Sequence, residues 1–268
     1  MIKEQGTTTQ IALLNKEFLT SWELCTSPFR GVELLNGPGI ATRWANIDFR
    51  FYNALCLTAE IYGEEALVQT VCEGIDFMRA RPYPGWMVVT RESLSNPAHS
   101  ALSGLIASMQ LASMPATGMA GEILPLKERV IPNLRFERIR DDHTVATFAE
   151  LNCLAYGFPI EVGRSVIGAD TFWREHAYGF IAYERELPVA TATGIVCGTS
   201  IFLFLVATRP EAQRKGYADA VIRRALNAAH AATGIRRTSL QATDAGRPVY
   251  QRLGYLDICR YTCLWPAT

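Results

Sequence analysis

One stretch limits the folds open to this chain more than any other: Leu205-Val-Ala-Thr-Arg-Pro-Glu-Ala-Gln-Arg-Lys-Gly-Tyr-Ala218. Residues 201–207 form an apolar run dense in aromatic and branched side chains, the pattern of a buried strand. Pro210 ends that strand, because proline lacks the N–H a central ladder needs. Ala218, Val221, Ile222, Ala225 and Ala229 then recur at helical spacing. The unit is therefore a strand, a short basic loop with a glycine, and an amphipathic helix.

A helix N-terminus leaves about four backbone N–H groups unpaired at the positive end of its dipole. Gly216 and Ala218 carry no bulk, so a phosphate group has room to approach those N–H groups. Arg214 and Lys215 add positive charge. The same loop also fits an ordinary strand-to-helix connection with solvated charges, and alone it does not separate the two readings.

Composition excludes several classes of protein. The chain has 268 residues, 49% hydrophobic and 19% charged, so it is globular rather than disordered. Lys+Arg and Asp+Glu are each 26. A net charge of zero argues against a nucleic-acid or membrane-surface binder, which needs a basic excess. The seven cysteines include no Cys-x-x-Cys pair, and Cys259 and Cys263 have no histidine nearby. The pattern gives no metal site and reads as free thiols in a reducing cytoplasm. The polar N-terminus lacks a signal core, and the uncharged stretch from Ser93 to Gly121 is too broken to span a membrane. A soluble, cytoplasmic protein is expected.

The length suits two domains, and the charged Lys127-Glu-Arg129 followed by Pro132 marks a boundary. Residues 1–127 read as helix, strand, helix, strand, helix, strand: 11–26, 49–58, 64–80, 86–90, 98–110 and 111–120. Asn36-Gly-Pro-Gly39 is a turn. This half carries no chemistry that can be named. Residues 128–268 open with a strand at 134–140, then a helix capped by Asp141 or Asp142 and ended by Gly157. A second short helix covers 160–167. Strands at 178–183, 189–196 and 199–207 follow as an antiparallel meander. After the helix at 217–233 come a strand at 238–242, a brief helix closed by Gly254, and a last strand at 255–264.

This order, with the basic glycine loop after the fourth strand, resembles the GCN5-related N-acetyltransferase (GNAT) superfamily. Two segments carry the likeness. Gln213-x-x-Gly216-x-Ala218 looks like the family's pyrophosphate signature. Leu240-Gln-Ala-Thr-Asp-Ala-Gly-Arg-Pro-Val-Tyr-Gln-Arg-Leu-Gly-Tyr255 looks like the family's segment ending in Tyr-x-x-Leu-Gly-Phe. The likeness covers roughly residues 130–268.

The resemblance implies an α/β GNAT fold with a mixed, mostly antiparallel sheet flanked by helices. Its catalytic domain, residues 128–268, would bind acetyl-CoA as cosubstrate where the fourth and fifth strands splay. Carried over, Leu205, Val206 and Ala207 offer backbone groups to the pantetheine arm. Gln213, Arg214, Lys215, Gly216, Tyr217 and Ala218 surround the diphosphate. Thr243, where many members have asparagine, and Gly246 lie at the cofactor's edge. Tyr250 matches the tyrosine that protonates the leaving thiolate; a free phenol has a pKa near 10 and is protonated at neutral pH.

The acceptor implied is a small-molecule amine or a protein amine. Family members often take a base from strand four, but here that strand has no acid or histidine. Glu150, Glu161, Asp170 and His176 are the alternatives. Cys153 and Cys197 fit buried thiols better than acyl carriers, which favours direct transfer. Residues 1–127 weakly resemble a degenerate second copy of the fold, in two tandem GNAT-like domains. That copy lacks the loop, so it either shapes the acceptor site or makes a homodimer contact. The leading expectation is an acetyl-CoA-dependent N-acetyltransferase. Its rival is a non-catalytic acyl-CoA-binding regulator.

Overall fold

A computed structural model describes residues 2–167 and 172–267. The chain divides into two compact units. The first takes in the chain up to Met119, residues Gln241–Arg247, and everything from Asp257 on. The second takes in Ala120–Leu240 and Pro248–Leu256.

The first unit opens with the long helix α1 (Ile2–Thr26), then β1 (Glu33–Asn36), β2 (Ile40–Trp44) and β3 (Asn53–Leu57). Helix α2 (Glu64–Arg79), β4 (Trp86–Thr90), α3 (Asn96–Ser108) and β5 (Leu111–Gly121) follow. Its strands run in the order β1-β2-β3-β4-β11-β5, where β11 is Leu256–Pro266. On α2, Leu67, Val71, Ile75 and Met78 recur at helical spacing and are buried. They pack with Trp44, Leu55, Met87 and Leu264 into one apolar cluster. Arg43, next to Trp44 on β2, is also buried. Its guanidinium pairs with Glu23 at 3.1 Å and Asn36 Oδ1 at 3.0 Å, so the buried charge is satisfied.

In this unit the structure confirms one turn and adds its strands, and it departs from the sequence expectations in two further places. The Asn36-Gly-Pro-Gly39 turn closes a hairpin, with Leu35↔Thr42 and Asn36↔Ala41 paired between β1 and β2. Both strands are short; β1 is partly exposed and β2 almost wholly buried, so neither shows the alternation that reveals a strand. Helix α1 also starts nine residues before position 11. Its first turns are too polar for an apolar stripe to mark them. Finally, the strand expected to end the C-terminal domain pairs with β4, in the register Tyr261↔Thr90 and Cys263↔Val88. A division at residue 127 therefore differs from the compact units, which change at Met119 and return the chain's end to the first. Sequence pattern identifies a strand but not its partner.

The second unit holds β6 (Leu134–Arg138), α4 (Asp142–Tyr156), α5 (Ile160–Val166), α6 (Phe172–Glu175) and β7 (Ala177–Glu184). It continues with β8 (Leu187–Cys197), β9 (Ser200–Thr208), α7 (Tyr217–Thr233), β10 (Thr238–Ala242) and α8 (Arg247–Leu253). The strand order is β10-β9-β8-β7-β6. The β6–β9 meander is antiparallel throughout, as its short turns require. Only β10 runs parallel to its neighbour β9.

Helix α4 begins with a capping box: Asp141 Oδ1 accepts the Thr144 N–H at 2.8 Å, and Thr144 Oγ1 accepts the Asp141 N–H at 3.1 Å. Gly157 ends it in the left-handed region, φ 74°. Helix α7 buries Val221, Ile222, Ala225, Leu226 and Ala229. Each larger side chain there contributes about 1.5–3 kcal/mol. That burial holds the helix against the meander, so its N-terminus stays fixed after β9. Among the described residues, no helix is long and apolar enough to cross a membrane.

Candidate functional site

Strand β9 is irregular where it matters. Opposite β8, Thr193 faces Phe204 and Thr191 faces Ala207. Leu205 and Val206 therefore share one partner position, which is a β-bulge. Leu205 sits at φ +46°, a conformation that a non-glycine residue holds only when its surroundings impose it. On the other side β9 pairs with β10 through Ile201↔Thr238 and Phe202↔Ser239. That pairing stops before the bulge. The strand thus arrives at Leu205–Ala207 with its backbone turned out of the regular ladder.

The Val206 carbonyl accepts a side-chain hydrogen bond there. Tyr156, in the last turn of α4, donates its hydroxyl to it at 2.7 Å. Tyr156 is a half-exposed aromatic just before Gly157. It was not singled out from the sequence, and an aromatic placed immediately before a helix-ending glycine was its only signal.

Beyond β9 the chain makes a single 3-10 turn, Pro210–Ala212, and reaches Gln213 in extended conformation. Arg214 (φ +63°) and Gly216 (φ +85°) are both left-handed, with Lys215 between them. Gly216 is the residue before α7 and no side chain caps that helix. The N–H groups of Tyr217, Ala218 and Asp219 therefore open onto the loop without the oxygen acceptor that a Ser, Thr or Asp would supply. Glycine suits this position because its φ is left-handed; a Cβ would also lie 2.7 Å from Arg129 Nη2, and the arginine side chain would have to shift.

Charge around the loop is arranged in two sets. Glu184, at the end of β7, accepts the Tyr217 hydroxyl and lies 3.7 Å from Lys215 Nζ. The Tyr217 bond, then Lys215, holds the Glu184 carboxyl below the usual range. Asp219, nearly buried, meets Arg223 Nε at 3.1 Å and Arg129 Nη1 at 3.2 Å. Arg214 is exposed and, among the described residues, forms no ion pair.

Tyr250 lies on α8 and is 9% exposed. Its ring meets Tyr255 edge-on, centroids 6.0 Å apart. Burial pushes its pKa well above the ordinary phenol value, and the Tyr156 and Tyr255 phenols push the same way. Tyr255 instead uses its hydroxyl with Thr238 at 2.8 Å. Among the described residues the Tyr250 hydroxyl makes no hydrogen bond.

The remaining candidates fall elsewhere. Glu150 is held by Arg164, whose Nε lies 3.1 Å away. Glu161 and His176 are exposed. Asp170 lies outside the described residues. Cys153 and Cys197 are buried and form no disulfide, and burial raises the Cys153 pKa. Thr243 is committed within its own turn: its hydroxyl accepts the Gly246 N–H at 3.2 Å and its carbonyl the Arg247 N–H at 2.9 Å. Thr243 and Gly246 both serve the start of α8.

Comparison with known proteins agrees with this geometry. Residues 175–256 match the family model for the acetyltransferase (GNAT) domain. That span contains the bulged strand, the basic loop, α7 and Tyr250. The fold is similar to a GCN5-related N-acetyltransferase from Kribbella flavida, 14% identical, with a TM-score of 0.67 over 94% of this chain and 95% of that one. A GCN5-related N-acetyltransferase from Sphaerobacter thermophilus is 16% identical, with a TM-score of 0.61 over 89% and 83%. A functionally unknown conserved protein from Staphylococcus epidermidis is 11% identical, with a TM-score of 0.65 over 90% and 97%. At these identities the likeness is one of fold, and it extends over both units. No curated protein sequence matches significantly.

Proposed function

We propose that this chain, whose residues 175–256 match the acetyltransferase (GNAT) domain model, is a GNAT-type N-acetyltransferase moving an acetyl group from acetyl-CoA to an amine. The observation that carries the reading is the succession of the β9 bulge at Leu205–Val206 and the uncapped N-terminus of α7 behind Gln213–Ala218. The fit is chemical as well as topological. The unpaired N–H groups of α7, with Arg214 and Lys215 beside them, suit a diphosphate. The displaced backbone of Leu205, Val206 and Ala207 suits the amides of a pantetheine arm.

In this reading the amine nitrogen bonds to the acetyl carbon, and the carbon–sulfur bond breaks. The thiolate leaves with the electron pair, the nitrogen sheds its proton to water, and the thiolate takes up a proton to leave as free thiol. Tyr250 supports that departure. Its hydroxyl is uncommitted and its phenol stays neutral at physiological pH, because burial raises its pKa. It therefore serves as a hydrogen-bond donor to the developing thiolate. Transfer is direct, since the Cys153 and Cys197 thiols are buried.

A second reading is acyl-CoA binding without chemistry. What favours it is that β9 supplies no acid or histidine and that Glu150 is already paired with Arg164. Release of free thiol from acetyl-CoA across a panel of small amines and lysine peptides separates the two. Amine-dependent release supports the enzyme. Binding without release supports the regulator.

A further inference from the structure

The segment between β5 and β6, within the second unit, does more than connect those strands. After Leu124 it runs without helix or strand along α7, in the opposite direction, fastened at successive turns. The Leu126 backbone makes two hydrogen bonds with the Asn227 amide, at 2.8 and 2.7 Å. Arg223 donates to the Lys127 carbonyl at 2.8 Å. Arg129 then reaches Asp219 in the first turn of α7 at 3.2 Å. The strap ends with a guanidinium against Gly216, at the residue before the helix.

We propose that Arg129 is a ligand for the diphosphate of the acyl-CoA cosubstrate, delivered to the loop by this strap. The inference rests on the acyl-CoA reading above. Three observations support it. Asp219 is the one protein partner of Arg129 among the described residues, and it uses Nη1 alone. Arg129 Nη2, Cζ and Nε are the atoms nearest to where a Gly216 Cβ would stand, so the guanidinium lies against the loop beside the N–H groups of α7, with its Nη2 and Nε donors unpartnered among the described residues. Donors do not pair with donors, and an anion satisfies both sets at once.

Charge balance points the same way. Asp219 is already met by Arg223 through Nε at 3.1 Å and Nη2 at 3.2 Å. One carboxylate between two guanidinium groups leaves a net positive charge at the mouth of the helix. Arg129 also covers a negative charge that would otherwise repel phosphate. Arg129 lies in none of the motif segments and precedes Gly216 by 87 positions, so no local pattern links them.

The test is isothermal titration of wild type, Arg129→Ala and Arg129→Lys with three ligands: acetyl-CoA, acetyl-dephospho-CoA and S-acetylpantetheine. The melting temperature of each variant is recorded alongside. Arg129→Ala is expected to weaken acetyl-CoA and acetyl-dephospho-CoA about tenfold alike, the size of one hydrogen bond to a charged group. S-acetylpantetheine, which has no phosphate, should change less than twofold, and lysine should restore most of the loss. Unchanged affinity for all three ligands overturns the proposal. So does tighter binding, which would make the strap a gate. A loss confined to acetyl-CoA assigns Arg129 to the 3′-phosphate and overturns it too, as does an equal loss for S-acetylpantetheine. If wild type binds none of the three, the acyl-CoA reading itself fails.

Discussion

The Tyr156 hydroxyl donates to the Val206 carbonyl at 2.7 Å, tying the end of α4 to the bulge of β9 fifty residues later. In the ligand-free protein that bond occupies the backbone acceptor a pantetheine amide would use. A carbonyl has two lone pairs, so the two donors compete rather than exclude one another. Tyr156→Phe should lower stability by about 1 kcal/mol, the net worth of one hydrogen bond. It should also tighten acetyl-CoA binding severalfold. A melting curve and a binding isotherm measure both. Binding weakened tenfold would instead make Tyr156 part of the cosubstrate's support.

Tyr250 differs from Tyr255 in the use of its hydroxyl, and that difference is testable. Tyr250→Phe removes no hydrogen bond recorded in the fold, so the melting temperature should stay within about 2 °C, less than ~1 kcal/mol for a chain this size. The turnover number should fall about 100-fold, the lower range for a lost acid–base group. Since burial raises the phenol's pKa, Tyr250 should produce no basic limb in the rate profile below pH 10. A basic limb that vanishes in Tyr250→Phe would contradict this assignment.

Gly216 and Arg129 should be coupled. Gly216→Ala places a methyl group in a left-handed conformation and against the guanidinium, at a cost of about 1–2 kcal/mol. Removing Arg129 relieves the second part of that cost but not the first. A double-mutant cycle on stability should therefore show less than additive loss. Additivity within about 0.3 kcal/mol would mean the two residues are independent. The same coupling makes bulky substitutions at Gly216 poor probes of phosphate binding, because they disturb Arg129 as well.

Several buried thiols and a phenol are expected to lower the stability of the first unit at alkaline pH. Burial pushes the Cys259 and Cys263 thiols up to about 12, and moves Cys56 and Tyr261 in the same direction. Unfolded thiols ionise near 8.5 and phenols near 10. Above about pH 8.5 the unfolded chain therefore binds fewer protons than the folded one, and stability falls with rising pH. The contribution is complete below that value and declines toward pH 12. Thermal melts at pH 8 and pH 10.5 should show a drop of several degrees. Equal melting temperatures would mean these groups ionise freely in the fold.

The parts of the site that were legible in the sequence are local. The strand at 201–207, the break at Pro210 and the helix at 217–233 follow from short-range pattern, and they place the loop correctly. The capping box at Asp141 and the stop at Gly157 are equally local. What was missed depends on partners distant in sequence. Tyr156 acquires meaning only beside Val206, and Arg129 only beside Asp219 and Gly216. The bulge at Leu205 leaves no mark on composition, because its positive φ comes from register against β8. The last strand's alternating Cys259, Tyr261 and Cys263 announce a buried face, but only the structure pairs them with β4. Thr243 shows the converse. Its neighbours suggest a cosubstrate contact, and the structure adds a local role, with both of its oxygens accepting hydrogen bonds at the start of α8.

The most direct measurement is the appearance of free thiol from acetyl-CoA in the presence of an amine panel, compared between wild type and Tyr250→Phe. The account predicts release that depends on one class of amine, saturates with acetyl-CoA and falls about 100-fold in the variant. Saturable acetyl-CoA binding with no thiol release from any amine would contradict it, leaving a protein that recognises the acyl-CoA and does no chemistry on it.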